Sequence, residues 1–371
     1  MDIKPIKFVD LQKQYSDIEN EIVEGIRELI HQGSFVGGKP VEEFESALAA
    51  YVGTKYAIGC SDGTVALQIA LLAAGLQSGD KVIVPSNSFI ATANAVVHAG
   101  GIPVMLDCDP RTYLIDLNLV ENTMKEQSIR FVLPVHLYGN PCPMPELLAL
   151  CDKYGAQVIE DNAQAIGSQL NGQRSGSFGL ASGISFYPAK NLGAFGQGGA
   201  VMTNDSMLAR KVRCYIEQGQ GTERYYHDVV GYNARLHTLQ AFVLNKLLPR
   251  LDDLNARRRS VAELYAKQFP ANRIQQRTIG ALSVYHLFEF RCDSMQQRAN
   301  LAQALTQQNI GFGYHYPLPI HKQKAYSAYN SLSLPVSEKL AETLISLPMH
   351  PFLSNEDVDR VSVVVNSVVN Y

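Results

Sequence analysis

No apolar run in the sequence approaches the ~18–20 residues needed to cross a bilayer, which excludes an ordinary helical membrane span. Charge is scarce: Asp, Glu, Lys and Arg make up 18% of the 371 residues, against roughly 25% in an average soluble chain. Nor is there an excess of positive charge. With 32 Lys and Arg against 35 Asp and Glu, the formal charge is -3. A general nucleic-acid binder is thereby disfavoured, because its affinity rests on a dense basic face that releases counterions. The run Arg257-Arg258-Arg259 is the basic cluster of note, and in a helix-like stretch it reads as a solvated face. The six cysteines, at 60, 108, 142, 151, 214 and 292, include no C-x-x-C pair. They indicate neither a zinc site nor a disulfide framework and read as reduced thiols of a cytoplasmic protein. No H-x-x-x-H or H-E-x-x-H spacing occurs, and His315 with His321 lacks third and fourth ligands, so no metal is expected. Residues 1–15 carry no apolar block behind a basic start, so no secretory leader is expected. Internal repeats and low-complexity tracts are absent as well.

Hydrophobic residues, at 46%, are ample for a sizeable core. The length predicts about two or three domains. From about 55 to 205, short β-rich runs alternate with helical ones. Buried strands are expected over 81–85, 102–106, 131–135, 157–159, 183–187 and 200–203, with helices over 64–74 and 144–154. Such alternation predicts an α/β fold with a mostly parallel sheet sandwiched by helices. After about 250 the character changes. A polar helix over 256–268, alternating residues 284–291, a Gln-rich helix over 295–308, a run at 311–316, and helical patterns over 337–346 and 355–369 predict a smaller α/β domain. We therefore divide the chain into 1–250, with an N-terminal arm, and 251–371, joined through 236–254 with a bend at Pro249.

In such sheets ligands bind beyond the carboxyl ends of the strands. The run 157–159 leads into Glu160-Asp161-Asn162-Ala163-Gln164, and 183–187 leads into Pro188-Ala189-Lys190. Asp161 and Lys190 are thus expected at the same edge, where they are either a plain salt bridge or a functional pair. Three features favour the second. Ser61-Asp62-Gly63-Thr64 precedes an apolar helix, whose start would be a simple N-cap or an anion site. Phe89 follows the strand ending at Pro85, as a core ring or a stacking platform. Gly193, Gly196, Gly198 and Gly199 crowd the segment after Lys190, permitting close backbone approach and positive φ, or simply a flexible connection. Together they supply what pyridoxal phosphate needs: a lysine for a Schiff base, a carboxylate for the pyridine nitrogen, a stacking ring and a phosphate-binding helix start.

The chain resembles the DegT/DnrJ/EryC1/StrS sugar aminotransferases, which are fold-type I pyridoxal-phosphate enzymes. The likeness runs from Phe8-Val9-Asp10-Leu11 and Val41-Glu42-Glu43-Phe44-Glu45 through Gly63-Thr64 and Glu160–Gln164 to Ser185-Phe186-Tyr187-Pro188-Ala189-Lys190. It continues in Gly231-Tyr232-Asn233-Ala234-Arg235 and His315-Tyr316-Pro317-Leu318-Pro319-Ile320-His321. The resemblance implies that Lys190 is the Schiff-base lysine and proton shuttle, Asp161 the partner of the pyridine nitrogen and Gln164 that of the ring's phenolic oxygen. It implies that Phe89 stacks on the ring and that Gly63, Thr64 and Ser185 hold the phosphate. Asn233 would reach in from a second subunit, so a homodimer with its site at the interface is expected. Tyr316, His321 and Arg235 would lie near a nucleotide-sugar, although His321 could instead pack its loop and Arg235 pair with an acid. The implied reaction moves the amino group of glutamate to a nucleotide-linked keto-sugar, TDP- or UDP-linked, for an amino sugar of a surface polysaccharide or a glycosylated product. Asn191-Leu192-Gly193 after the lysine resembles members acting on 3-keto sugars. The C4 alternative is associated with an Ile-Thr-Thr-Gly type continuation.

Four positions depart from the family pattern: Asn162 for a small alanine, His237 for an aspartate, Gln197 for an acid, and Asp62 for Ser or Asn, with its carboxylate expected to point away from the phosphate. Three rival readings are weaker. A sugar dehydratase of this family would carry histidine in place of Lys190. A nicotinamide oxidoreductase is suggested only by Tyr51-Val52-Gly53-Thr54-Lys55, with no G-x-G-x-x-G loop after an early strand. A non-catalytic regulator would have no need to keep Lys190, Asp161 and Gln164 together.

Overall fold

The computed structural model describes residues 4–369. Strands β1 (Tyr56–Cys60), β2 (Lys81–Pro85), β3 (Ile102–Leu106), β4 (Phe131–Val132), β5 (Gln157–Asp161), β6 (Ala181–Ser185) and β7 (Gly199–Thr203) form one sheet in the order β1-β7-β6-β5-β4-β2-β3. The run from β3 to β6 is parallel, whereas β7 is antiparallel to both its neighbours, β6 and β1. The strands divide their side chains between the two faces with the period of two that pleating imposes. Val82 and Val84 pack in one cluster with Leu67 and Ile159, while Ile83 packs in another with Val132 and Val158. Likewise Val201 faces the Leu67 side and Ala200 and Met202 face Phe44, Leu48 and Leu247. With helices on both faces, the strands read as continuous apolar runs, as parallel strands do.

The helix Gly63–Ala73 is apolar nearly all round and correspondingly buried, with Thr64, Val65 and Leu72 as its partly accessible positions. Its first turn therefore opens at the carboxyl edge of the sheet, next to the end of β6. The expected strand over 183–187 begins and ends two residues earlier, at Ala181 and Ser185, and the Phe186 amide makes one further bond in the same register to the Gly198 carbonyl at 2.7 Å. β4 pairs only over Phe131–Val132, with Val135 making a separate bridge to Asp161.

Beyond the large sheet, the chain bends where Pro249 interrupts helical hydrogen bonding. The helix Thr238–Leu247 passes through a 3-10 turn, Leu248–Arg250, into the helix Leu251–Gln268. Strands β8 (Phe288–Arg291) and β9 (Leu344–Leu347) form an antiparallel pair covered by the helices Met295–Gln307 and Asn355–Val368. The helical pattern over 337–346 is thus cut short: the helix is Pro335–Thr343, and Leu344 onward turns extended because β8 offers it a partner. Ile6 of the N-terminal arm bridges Ile310 and packs in the C-terminal core with Val261, Phe290 and Ile345. Among the described residues, no helix is long and apolar enough to cross a membrane.

The arginine run is not one solvated face. At about 100° per residue, successive helix positions point in different directions, so Arg257 is exposed while Arg258 is buried. The Arg258 guanidinium donates to the Met349 carbonyl at 2.8 Å and the Tyr285 carbonyl at 3.3 Å, fastening the helix Leu251–Gln268 to two loops. Burial lowers its pKa to about 10, still well above neutrality. Arg258→Leu, which strands both carbonyls, is expected to cost about 1–3 kcal/mol. Arg257→Ala should change stability by less than about 0.5 kcal/mol in the same urea titration.

Candidate active site

Asp161 ends β5 and Lys190 follows β6, its immediate parallel neighbour, so the two side chains emerge side by side. Asp161 is only 4% exposed. Its Oδ2 accepts the Thr92 hydroxyl at 2.8 Å, which is linked in turn to the Ser88 hydroxyl at 2.8 Å, and its Oδ1 accepts the Ala163 amide at 3.1 Å. Among the described residues no cation forms an ion pair with it. Burial raises its pKa, opposed by Thr92, the Ala163 amide and the Lys190 charge. The complementary effect falls on Lys190: desolvation takes the amine down to about 8, although Asp161 pulls the other way. At pH 7 such an amine is neutral in about one molecule in ten, against about one in 3,000 for an unperturbed lysine.

The helix start has the geometry to hold an anion. Asp62 turns its Oδ1 to the Val65 amide at 2.9 Å as N-cap and receives the Ser61 hydroxyl on Oδ2 at 2.9 Å, so its charge is directed at its own helix, as expected. Among the described residues, the Gly63 and Thr64 amides have no acceptor in the chain, and they sit at the positive end of the helix dipole. Gly63 lies so near the end of β6 that a Cβ would meet Ser185 Cβ at 2.7 Å. On the other side, a Cβ on Gly199 would meet the Asp62 carbonyl at 2.4 Å. None of Gly193, Gly196, Gly198 and Gly199 has positive φ, so this run serves close approach rather than unusual backbone angles.

Gln164 is held at both ends: Oε1 accepts the Tyr138 amide at 2.7 Å, and Nε2 donates to the Tyr316 hydroxyl at 3.0 Å. Phe89 is 53% exposed, its ring 5.5 Å from that of Tyr316. Asn162 turns away to bond the Ser175 carbonyl at 3.1 Å and hydroxyl at 2.7 Å, leaving the Asp161 contacts intact. His321 is a different matter. Its ring is fully buried, with Nδ1 2.7 Å from the Ser86 hydroxyl and Nε2 3.0 Å from Glu338. No ring nitrogen remains for a ligand, so His321 fastens its loop to the end of β2, the packing alternative considered above.

Asn233 and Arg235 do not join Lys190 and Asp161 within one chain. Both are exposed, on a segment that bridges Cys60 and hands the Ala234 carbonyl to the Ser61 amide at 2.8 Å, beside the turn that starts the helix Gly63–Ala73. His237 stands at the N-cap of the helix Thr238–Leu247 without a side-chain cap bond, the job an aspartate would do there.

Sequence reasoning passed over several neighbours. Thr92 is one, in the first turn of the helix Ala91–His98, where its hydroxyl meets that of Ser88 ahead of the helix. Another is His286, whose Nδ1 lies 3.1 Å from Asn191 Oδ1. Asn191 Nδ2 is fixed by the Val284 carbonyl at 3.1 Å and Asn255 Oδ1 at 2.8 Å, which makes Oδ1 the acceptor and His286 the donor at Nδ1. Burial, together with the charge of Lys190, holds His286 well below its ordinary pKa. Nothing in its local sequence distinguishes it from an ordinary residue of an alternating run. Among the described residues, no group of His, Cys, Asp and Glu could hold a metal ion.

The family model for the DegT/DnrJ/EryC1/StrS aminotransferase family matches residues 16–366. A UDP-N-acetyl-3-dehydro-alpha-D-glucosamine 3-aminotransferase of Acidithiobacillus ferrooxidans is 39% identical over 98% of both chains. The dTDP-3-amino-3,6-dideoxy-alpha-D-galactopyranose transaminase of Aneurinibacillus thermoaerophilus is 39% identical over 97% of this chain and 99% of its own. Among solved structures, DesV of S. venezuelae superposes with a TM-score of 0.93 at 36% identity, covering 99% of each chain. Pyridoxal phosphate is the cofactor of this family. The residues fit it: a dry carboxylate without an ion-pair partner among the described residues, an amine near it whose pKa burial lowers to about 8, and a glycine-walled turn with two unused amides. Thr92→Val removes a donor from the buried carboxylate, at a cost of about 1–3 kcal/mol. Cofactor retention on dialysis, followed by its visible absorbance, is expected to weaken by roughly ten- to a hundred-fold, with the fold intact by circular dichroism.

Proposed function

The chain belongs to the DegT/DnrJ/EryC1/StrS aminotransferase family, and on that premise we propose that it moves the amino group of L-glutamate to C3 of a keto-sugar carried on UDP or TDP. That it is a pyridoxal-phosphate-dependent sugar aminotransferase follows from its relatives, aligned over nearly the whole chain. The observation that carries the residue assignments is a buried Asp161 at the end of β5 together with a desolvated Lys190 on the loop after its parallel neighbour β6. The C3 preference rests on Asn191-Leu192-Gly193 after the lysine and on relatives named for 3-amino chemistry.

When bound, pyridoxal phosphate supplies a conjugated ring that accepts the electron pair left when a C–H bond breaks. The chain's own residues do the rest. Asp161 keeps the ring nitrogen protonated from a water-poor position. Gly63, Thr64 and Ser185 hold the phosphate with amides and a hydroxyl. Phe89 and Tyr316 wall the ring and limit water, and Gln164 fixes the phenolic side while braced by Tyr138. Lys190 Nζ takes the proton from the α-carbon of glutamate, and in the second half-reaction delivers one to C3 of the sugar. An amine with a pKa near 8 is suited to both directions, being able to lose and regain its proton near neutral pH.

The same reading includes a homodimer. Phe35 and Val36 are exposed apolar residues, and Val36 bridges His237 in the segment that carries Asn233 and Arg235. Apolar surface beside an open anion site suits a subunit that completes its neighbour, with Asn233 reaching the neighbour's phosphate and Arg235 its nucleotide-sugar. Residues 1–250 then form the cofactor-binding domain and 251–371 the smaller one.

UDP- and TDP-linked 3-keto and 4-keto sugars, assayed for glutamate consumption, test the substrate. The expected product carries its new amine at C3 by NMR, and amination confined to 4-keto sugars would overturn the C3 assignment. Subunit mixing tests the dimer. Lys190→Ala and Asn233→Ala are each expected to be nearly inactive. Their mixture, after exchange, should regain about a quarter of wild-type activity, since each heterodimer has one undamaged site. Absence of any recovery would count against a shared site.

A further inference from the structure

Glu289 lies in β8 directly opposite Ser346 of β9, so their side chains share one face of that pair. Gly313 extends the ladder on the far side of β9, exchanging hydrogen bonds with Ser346 at 3.1 and 2.9 Å. His315, two residues on, returns to the same face. The result is a row of three polar side chains: Ser346 Oγ is 2.5 Å from Glu289 Oε1 and 2.6 Å from His315 Nδ1. Beyond His315 the row reaches the active site, since Tyr316 is the next residue and receives the Gln164 amide at 3.0 Å. Tyr138, whose amide braces Gln164, also donates its hydroxyl to the His315 carbonyl.

One hydroxyl proton cannot serve both neighbours of Ser346. If Glu289 is ionised, Ser346 donates to it, His315 must donate from Nδ1, and Nε2 is a bare acceptor. If Glu289 is protonated, it donates to Ser346, Ser346 donates to Nδ1, and His315 carries its proton on Nε2. Glu289 is 2% exposed, and its Oε2 has no partner, an arrangement that disfavours a charge there. Burial raises its pKa to about 8, with the Ser346 hydroxyl opposing. The groups around it are the hydroxyls of Tyr113, Tyr138 and Tyr316, with His315 behind Ser346 and Arg291 near Tyr113. His315 is itself held at about 4 by burial, aided by the Lys190 charge, so its ring is neutral at working pH.

We propose that Glu289 and Ser346 are positioning residues that set the ring tautomer of His315, and through it the seating of the keto-sugar beside Tyr316. The inference rests on the sugar-aminotransferase reading above. At neutral pH Glu289 is protonated and His315 presents Nε2–H, a donor with no partner among the described residues. As pH rises through about 8, Glu289 ionises, the two hydrogen bonds reverse, and Nε2 loses its proton.

The half-reactions separate this effect from the titration of Lys190, which acts in both. In wild type, KM for the nucleotide-sugar is expected to rise by roughly ten-fold between pH 7 and 9, with the glutamate half-reaction showing no matching loss of affinity. Glu289→Gln, which cannot ionise, should hold that KM flat with pH, and Ser346→Ala should raise it at every pH while still reacting with glutamate. Histidine labelled with 15N, the His315 signal being assigned by its loss in His315→Gln, should switch tautomer with pH in wild type and not in Glu289→Gln. An unchanged tautomer, or the same pH-dependent KM in Glu289→Gln as in wild type, would overturn the relay. If no keto-sugar is aminated by wild type, the functional reading fails instead, and the 15N titration still decides whether the relay exists.

Discussion

A carboxylate kept out of water at the end of a central strand, with an amine on the loop that follows the neighbouring strand, is the constraint around which the fold is arranged. Asp161 is costly to bury as an anion, so it is surrounded by donors: the Thr92 hydroxyl, its own loop amide and the field of Lys190. Those donors come from the helix after β2, the turn after β5 and the loop after β6, which meet only because the sheet sets β2, β4, β5 and β6 in parallel succession. The same desolvation that raises the carboxyl lowers the lysine. One environment therefore acts on both groups in opposite directions, raising the carboxyl and lowering the amine.

Around that pair the backbone approaches more closely than side chains would allow. Gly63 against Ser185 and Gly199 against the Asp62 carbonyl bring the helix start, the end of β6 and the start of β7 into one turn. The remaining walls come from far along the chain. Asn191 is tied to His286 and Asn255, Tyr138 to His315, and Gln164 to Tyr316. The C-terminal third thus does more than cover the large sheet, since Ser346 of its two-stranded ladder holds His315, the neighbour of Tyr316, which meets Gln164.

Much of the fold was legible. Strands with unbroken apolar runs, such as 81–85, and helices with a strong breaker at the end, such as Met144–Tyr154 before Gly155, were readable because local pattern and tertiary demand agree there. The short strand β1 and the extended stretch Leu344–Leu347 were not, because each is held by a partner distant in sequence, β7 and β8 respectively. Arg258 looked solvated because a run of three arginines conceals which one turns inward. The direction is fixed by where two carbonyls, Tyr285 and Met349, happen to lie.

The same division holds for the site. Residue type and order brought Lys190, Asp161 and the Ser61–Thr64 turn to one edge, since strand ends in a parallel sheet share one edge whatever the loops do, whereas Gln164 was reached only through the family resemblance. Which histidine is locked by two partners and which joins a buried polar row was beyond the sequence. His315 and His321 belong to one motif six residues apart, yet one is locked between Ser86 and Glu338 and the other sits at the end of a row from Glu289. A hydrogen bond is decided by the position of its partner, and here the partners come from strands and helices that only the folded chain brings together.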